Sequence, residues 1–267
     1  MADAPLRKLD PTRTITLRRV FAGEINTQLE ILRKELFQYL FTNDSLSLYY
    51  HSLSTFNTAN DGEKKVQTFR EWLSNALASF LGRTTLGKSL KKAYEKGMER
   101  AYSLLNKGKN AIRDSSFLRG TVEEFKRNAG SSSQLNLLIE KARNELKGLG
   151  EGLTTELLRE FSDSLSANDS QKDVEKKFNT VFKKYKDKAI LLSGNAVVQG
   201  HAWGELDGLK GLGVTHVGVE VEFRTAGDSR VCPLCAALEG QIYPIEEAYG
   251  IIPVHIRCRC MFIPAVA

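Results

Sequence analysis

Apolar residues recur at three- and four-residue steps over most of the chain and at two-residue steps only near its end. Leu17, Phe21, Ile25, Leu29, Leu32, Leu36 and Tyr39 make one stripe, which predicts a helix over 13–42. Residues 43–62 are polar with scattered aromatics and read as a loop, closed by Asn60-Asp61-Gly62 as a turn and helix start. Val66, Phe69, Leu73, Leu77 and Phe80, bordered by Trp72, predict a second helix over 63–80. A third begins near Thr84, with Leu90, Tyr94, Met98 or Ala101, and Leu105 on its apolar side. Helical pattern resumes over 120–167, interrupted by the small polar run 129–133 and expected to break again at Gly148, Gly150 and Gly152.

The last helix starts after Asp169 or Ser170, either of which can cap it, and buries Val174, Phe178, Phe182 and Tyr185. It continues into a small-residue stretch where Gly194, Ala196, Gly200 and Ala202 allow another helix or the terminal sheet to come close. Gly204, Gly208, Gly211 and Gly213 are expected to end the helical region. Val217, Val219, Val221 and Phe223 then alternate with Gly218, Glu220, Glu222 and Arg224, which predicts a half-buried strand. Further short strands are expected over 241–243 and 257–264. The expected fold is mainly α: a long helical body followed by a small C-terminal α+β module with a short β-sheet and a zinc knuckle. Along the chain this divides into a helical N-terminal region, 1–130, a second helical region, 131–213, and the terminal module, 214–267.

At 267 residues the chain is long enough for one large domain or two ordinary ones, with a sizeable core. No apolar run approaches the ~20 residues that a membrane helix requires. The start, MADAPLRKLDP, lacks the apolar core of a signal peptide. Synthesis in a cytoplasm, with thiols kept reduced, is the expectation.

Charge is unevenly placed. From Val214 onward six carboxylates face four arginines, so the +6 of the whole chain leaves +8 on residues 1–213. The third helix is the most basic part. Lys88, Lys92, Lys96 and Arg100 are four apart and form one row, joined by Lys91. Such a row suits an acidic partner, either phosphates of non-specifically bound DNA or an acidic protein surface, and equally a solvated face. No aromatic residues interleave with it, so stacking on bases is not expected.

All four cysteines lie in the last fifth of the sequence, as Cys232-x-x-Cys235 and Cys258-x-Cys260, with His255 ahead of the second pair. A C-x-x-C turn lets two thiolates converge on one ion, and a tetrahedral site then takes two further ligands. The preferred set is Cys232, Cys235, His255 and one of Cys258 or Cys260, with Cys258 favoured by its spacing from His255. Residues two apart on a strand face opposite ways, so Cys258 and Cys260 reach the same ion only if the chain bends there. Two disulfides, or four reduced thiols without a ligand, are the alternatives. His51, His201 and His216 are expected to be structural or surface residues rather than ligands.

The order Thr225, Asp228, Arg230, Val231, Cys232, Cys235, Leu238, Gly240, Pro253, His255, Cys258, Arg259, Cys260 resembles the C-terminal signature of the phage head morphogenesis family, the minor head proteins similar to the Mu F protein. The pattern departs from the family's at Val254 and Ile256, where prolines are common, and this touches loop shape rather than ligands. Upstream, Asn195 and His201 stand where the family commonly has an arginine-containing helix. The resemblance implies a low-copy virion protein that is made in the host cytoplasm. It would work in the head interior or portal region with the portal and major capsid proteins and contact DNA during packaging or ejection. No G-x-S-x-G, Walker loop or H-E-x-x-H is present, and no nucleophile–base–orienter set is visible, so the expectation is a structural protein and not an enzyme. Glu239 near Cys235 lacks the H-x-E context of a zinc deaminase base. The alternative from a different class is a zinc-dependent nucleic-acid enzyme or toxin carrying the same terminal module.

Overall fold

In a computed structural model of the chain, residues 12, 14–46, 59–107, 132–211 and 220–265 are described. Five long helices come first: α1 (Ile15–Phe37, extended by a π-helical turn Gln38–Thr42), α2 (Ala59–Arg83), α3 (Leu86–Lys107), α4 (Ser133–Ala167) and α5 (Gln171–Gly211). Strand β1 (Glu220–Arg224), the one-turn helix α6 (Pro233–Ala236), strand β2 (Ile242–Pro244), the one-turn helix α7 (Ile245–Ala248) and strand β3 (Met261–Ala265) follow. The mainly helical body and the small α+β module are therefore as the hydrophobic pattern indicates. Val217, Val219, His216, His51 and residues 108–131, where the interruption at 129–133 begins, lie outside the described residues.

The chain divides into two compact units, each assembled from separate stretches. One comprises residues 22–84 and 143–190. Its core is aromatic: the Phe69 ring lies 4.6 Å from Phe161 and 6.2 Å from Phe178, and Tyr39 stacks on Trp72 at 4.6 Å. Arg83 closes this unit by reaching Gln28 and Glu35. Helix α4 runs unbroken through Gly148, Gly150 and Gly152, contrary to the expected break. The reason is space. A Cβ on Gly150 would lie 2.5 Å from Leu77 Cδ1, and one on Gly152 would lie 2.9 Å from the Tyr185 hydroxyl. These glycines admit neighbours at a helix-propensity cost of about 1 kcal/mol each.

The other unit comprises residues 1–21, 85–142 and 191–267. Here α3 and the second half of α5 approach backbone to backbone. A Cβ on Gly97 would collide with the His201 carbonyl, and one on Gly204 with the Tyr94 carbonyl. Gly208 sits against Met98 and Ala101. Gly204 and Gly208 therefore do not terminate the helix as expected; they form its contact face. Gly204→Ala is expected to lower stability by about 3 kcal/mol, because neither backbone can yield locally. Urea unfolding of the two proteins measures it.

The sheet has the order β2-β1-β3 and is antiparallel throughout, with Val221 opposite Tyr243 and Phe223 opposite Phe262. The third strand is shorter than expected, because residues 257–260 form a turn and extended coil instead. The sheet does not stand alone. Val221, Phe223, Phe262, Ile245 and Ile252 share one core with Val198, Ala202, Leu206 and Leu209 of α5 and Ala101 of α3. Cys235, Cys258 and Cys260 belong to the same core.

Candidate metal centre

Cys232 is the cap of the short helix α6: Pro233 fixes the first helical position, and the Cys235 backbone N–H donates to Cys232 Sγ at 3.4 Å. That donation lowers the Cys232 thiol's pKa from its ordinary value. The turn carries Cys235 inward, where it is buried, while Cys232 stays partly open. Burial pushes the Cys235 thiol up to about 12.

His255 arrives from the opposite loop, its Nε2 3.1 Å from Cys235 Sγ. Its other ring nitrogen, Nδ1, is 2.7 Å from the Ile256 carbonyl oxygen. A carbonyl only accepts, so Nδ1 carries a hydrogen, and in the neutral ring Nε2 presents its lone pair to the thiols. This is the tautomer in which histidine binds metal through Nε2, held by its outer hydrogen bond.

The bend that both later cysteines require is present. Arg257 has a left-handed backbone, φ 65°, and its N–H donates to Asn195 Oδ1 of α5 at 3.1 Å, while the Cys258 N–H donates to the His255 carbonyl. As a result Cys258 and Cys260 both face Cys235, and both are buried. Among the described residues, two groups of ligand atoms lie within 4.8 Å of one another: Cys232, Cys235 and His255, and Cys235, Cys258 and Cys260. Cys235 is common to both. Cys260 donates to Cys258, and together with backbone N–H groups of Cys260 and Val254 this draws the Cys258 thiol well below its ordinary value, while the same pairing and burial raise Cys260. All four cysteines are free thiols in the structure. The cluster can hold a metal ion, and doing so would replace thiol protons by the ion's charge.

Around the cluster lies a clamp. Asp228 accepts a two-pronged guanidinium from Arg259, at 2.6 and 2.7 Å, and also the side chain and backbone N–H of Arg230. The hydrogen bonds from Arg259 come first in holding its carboxyl well below the usual carboxylate range. Asp228 thus ties the Cys232–Cys235 loop to the segment between Cys258 and Cys260. The Arg259 fork is not legible in the sequence, because nothing local joins residues 31 apart. Glu239 is a structural partner, accepting from the Thr225 N–H at 2.6 Å and from Arg224 at 3.2 Å.

The module is joined to the helices through two carboxylates of α5, one buried and one half-buried. Glu205, fully buried, pairs with Arg100 of α3 and accepts from the Phe262 N–H at 3.4 Å. Arg100 in turn donates to the Phe262 carbonyl at 3.2 Å. The ion pair therefore meets one donor and one acceptor on β3, much as a neighbouring strand would. Desolvation raises the Glu205 carboxyl to about 7, although Arg100 and the Phe262 N–H oppose the shift. Asp207 accepts hydroxyl hydrogen bonds from Tyr94, Ser132 and Tyr249. The clue to both carboxylates is their setting: between Lys188 and Lys210 they are the only acidic residues in a run of small and apolar ones.

Lys88, Lys91, Lys92 and Lys96 are exposed on α3. Arg100 leaves that row and turns into the interior toward Glu205, so four-residue spacing alone does not place a side chain on the surface. His201 is buried in α5 and belongs to neither ligand group. Among the described residues no helix is long and apolar enough to cross a membrane. Comparison of the chain with family models, with curated proteins and with solved structures finds no match in any of the three.

Proposed function

We propose that this chain is a phage minor head protein whose terminal module is fixed by a structural zinc ion and serves as a docking surface in head assembly. The observation that carries the reading is where the signature residues go. Asp228, Arg230, Cys232, Cys235, His255, Cys258, Arg259 and Cys260 are spread over the terminal sequence, yet their bonds are made mostly with one another. A pattern spent on holding two loops together suits a rigid surface. Thiolate and imidazole donors in a compact, largely buried set suit zinc in a closed, four-ligand site.

The surface so fixed has apolar tips. Leu234 on one loop and Ile256 on the other are 64% and 54% exposed, and each neighbours a ligand. Exposed Arg257 lies beside Ile256. These residues form the face we assign to a portal or capsid subunit. The lysine row of α3 is a second contact, suited to an acidic surface of such a subunit.

The test is to purify heads of the phage that encodes the chain and to look for it there in low copy. The expected result is its presence with the native sequence and its loss with Leu234→Asp/Ile256→Asp, a change that leaves the ligands intact. Absence of the native chain from heads and their precursors would overturn the reading. Cleavage or modification of nucleic acid by the purified, zinc-loaded protein would overturn it in favour of an enzyme. A further expected outcome concerns the clamp: Asp228→Asn should speed metal release to a chelator by about tenfold, as loss of outer-shell support generally does. Because the Asp228 carboxyl is depressed, its contribution is present above its unfolded value near pH 4 and is lost as pH falls through the folded value.

A further inference from the structure

Several lysines of α5 have partners within their own unit. Lys177 pairs with Asp169 at 2.6 Å, Lys184 pairs with Glu156 at 2.6 Å, and Lys188 lies over the Tyr185 ring at 4.5 Å. Lys183 and Lys186 differ. Among the described residues neither has a carboxylate within ion-pair distance, and both line a groove of about 310 Å³. Arg33 of α1 lines the same groove, and the buried side chains of Leu29 and Phe182 give it an apolar floor.

The charges of the groove do not balance. Its one carboxylate, Glu30, is taken up by Arg33 Nε at 3.0 Å, and Asn179 Oδ1 accepts from Arg33 at 3.1 Å. Those two bonds hold the guanidinium against the groove wall. Three cations then face one acid, and the two ammonium groups sit three residues apart on one helix face, where like charges repel. A concave, apolar-floored setting focuses their field and strengthens it relative to open water. The α3 lysines are unlike this: they stand along the outside of one helix, and Lys91 has Glu95 at 3.9 Å.

We propose that this groove binds phosphate groups, and specifically those of a nucleic-acid backbone. A guanidinium with two ammonium groups matches an oxyanion that offers several acceptors and more than one negative charge. The volume lies at the lower end of small-ligand sites, enough for a phosphodiester with part of its sugar. The proposal goes beyond the head-protein reading and does not depend on it, since head incorporation and phosphate binding are measured separately.

The experiment is fluorescence anisotropy of a short labelled DNA duplex, as a function of salt, with the native protein, Lys183→Ala/Lys186→Ala, and a control lacking Lys88, Lys91, Lys92 and Lys96. Calorimetric titration with pyrophosphate forms a second arm. The groove variant should bind the duplex about tenfold more weakly at low salt, with a log–log salt slope smaller by about 2, while the α3 control keeps the native slope. Both variants change solvent-facing or half-buried lysines, so a melting temperature near the native one checks that each is folded. Unchanged duplex binding in the groove variant, together with pyrophosphate binding that it loses, keeps the phosphate chemistry and overturns the backbone as its source. Unchanged behaviour in both arms, or a loss confined to the α3 control, overturns the proposal.

Discussion

Cys235→Ser is expected to abolish metal binding and to unfold residues 220–265, because Cys235 is the one side chain common to both ligand groups. Structural zinc contributes about 10–16 kcal/mol in isolated fingers, where the metal is the whole reason for folding. Here the sheet also packs on α5 through Val221, Phe223 and Phe262, so the loss is expected to be smaller, above about 4 kcal/mol. The released core would expose those residues and raise binding of an apolar dye. Cys258→Ser and Cys260→Ser provide the internal comparison. Both sulfurs face Cys235, and a four-ligand site with Cys232 and His255 has room for one of them. One variant should behave like Cys235→Ser. The other should retain the ion.

Arg100→Ala is expected to cost about 3–5 kcal/mol at neutral pH, since it leaves Glu205 as an unpaired carboxylate in the core and removes a donor from the Phe262 carbonyl. The effect depends on pH, and its sign follows from the direction of the Glu205 shift. Its folded value, about 7, lies above the ordinary 4.5, so the folded chain holds the extra proton over that window and the unfolded chain does not. Stability from this group is full below about pH 4.5 and falls as pH rises toward 7. Glu205→Gln removes the titration. The stability difference between native protein and Glu205→Gln should therefore move by about 2.5 kcal/mol between pH 5 and 8, in favour of glutamine at the higher pH. Denaturant unfolding at both pH values measures it.

The helices were legible because each buries a stripe. Phe21, Ile25, Leu29, Leu32 and Leu36 are all buried at the spacing read from the sequence. Glycine was harder. At Gly150, Gly152, Gly204 and Gly208 the same residue that ends helices elsewhere makes room for a neighbour, and only the neighbour's position distinguishes the two roles. Arg100 shows a similar limit: its row is local, but its burial is decided by Glu205, which comes 105 residues later. The cysteine and histidine cluster was legible from residue types and spacing. Its arrangement depended on a bend at Arg257 held by Asn195, which no local pattern announces. A division drawn along the chain and units drawn in space also follow different logic, since α1, α4 and α5 each contribute residues to both units.

The most direct test of an ion-fixed module is metal content by mass spectrometry on protein purified without chelator, alongside a thiol count after unfolding. About one zinc per chain, with all four cysteines titrating as thiols, is the predicted result. Metal-free protein in which the sheet of residues 220–265 is nonetheless folded would contradict it, whether the thiols prove free or paired as disulfides.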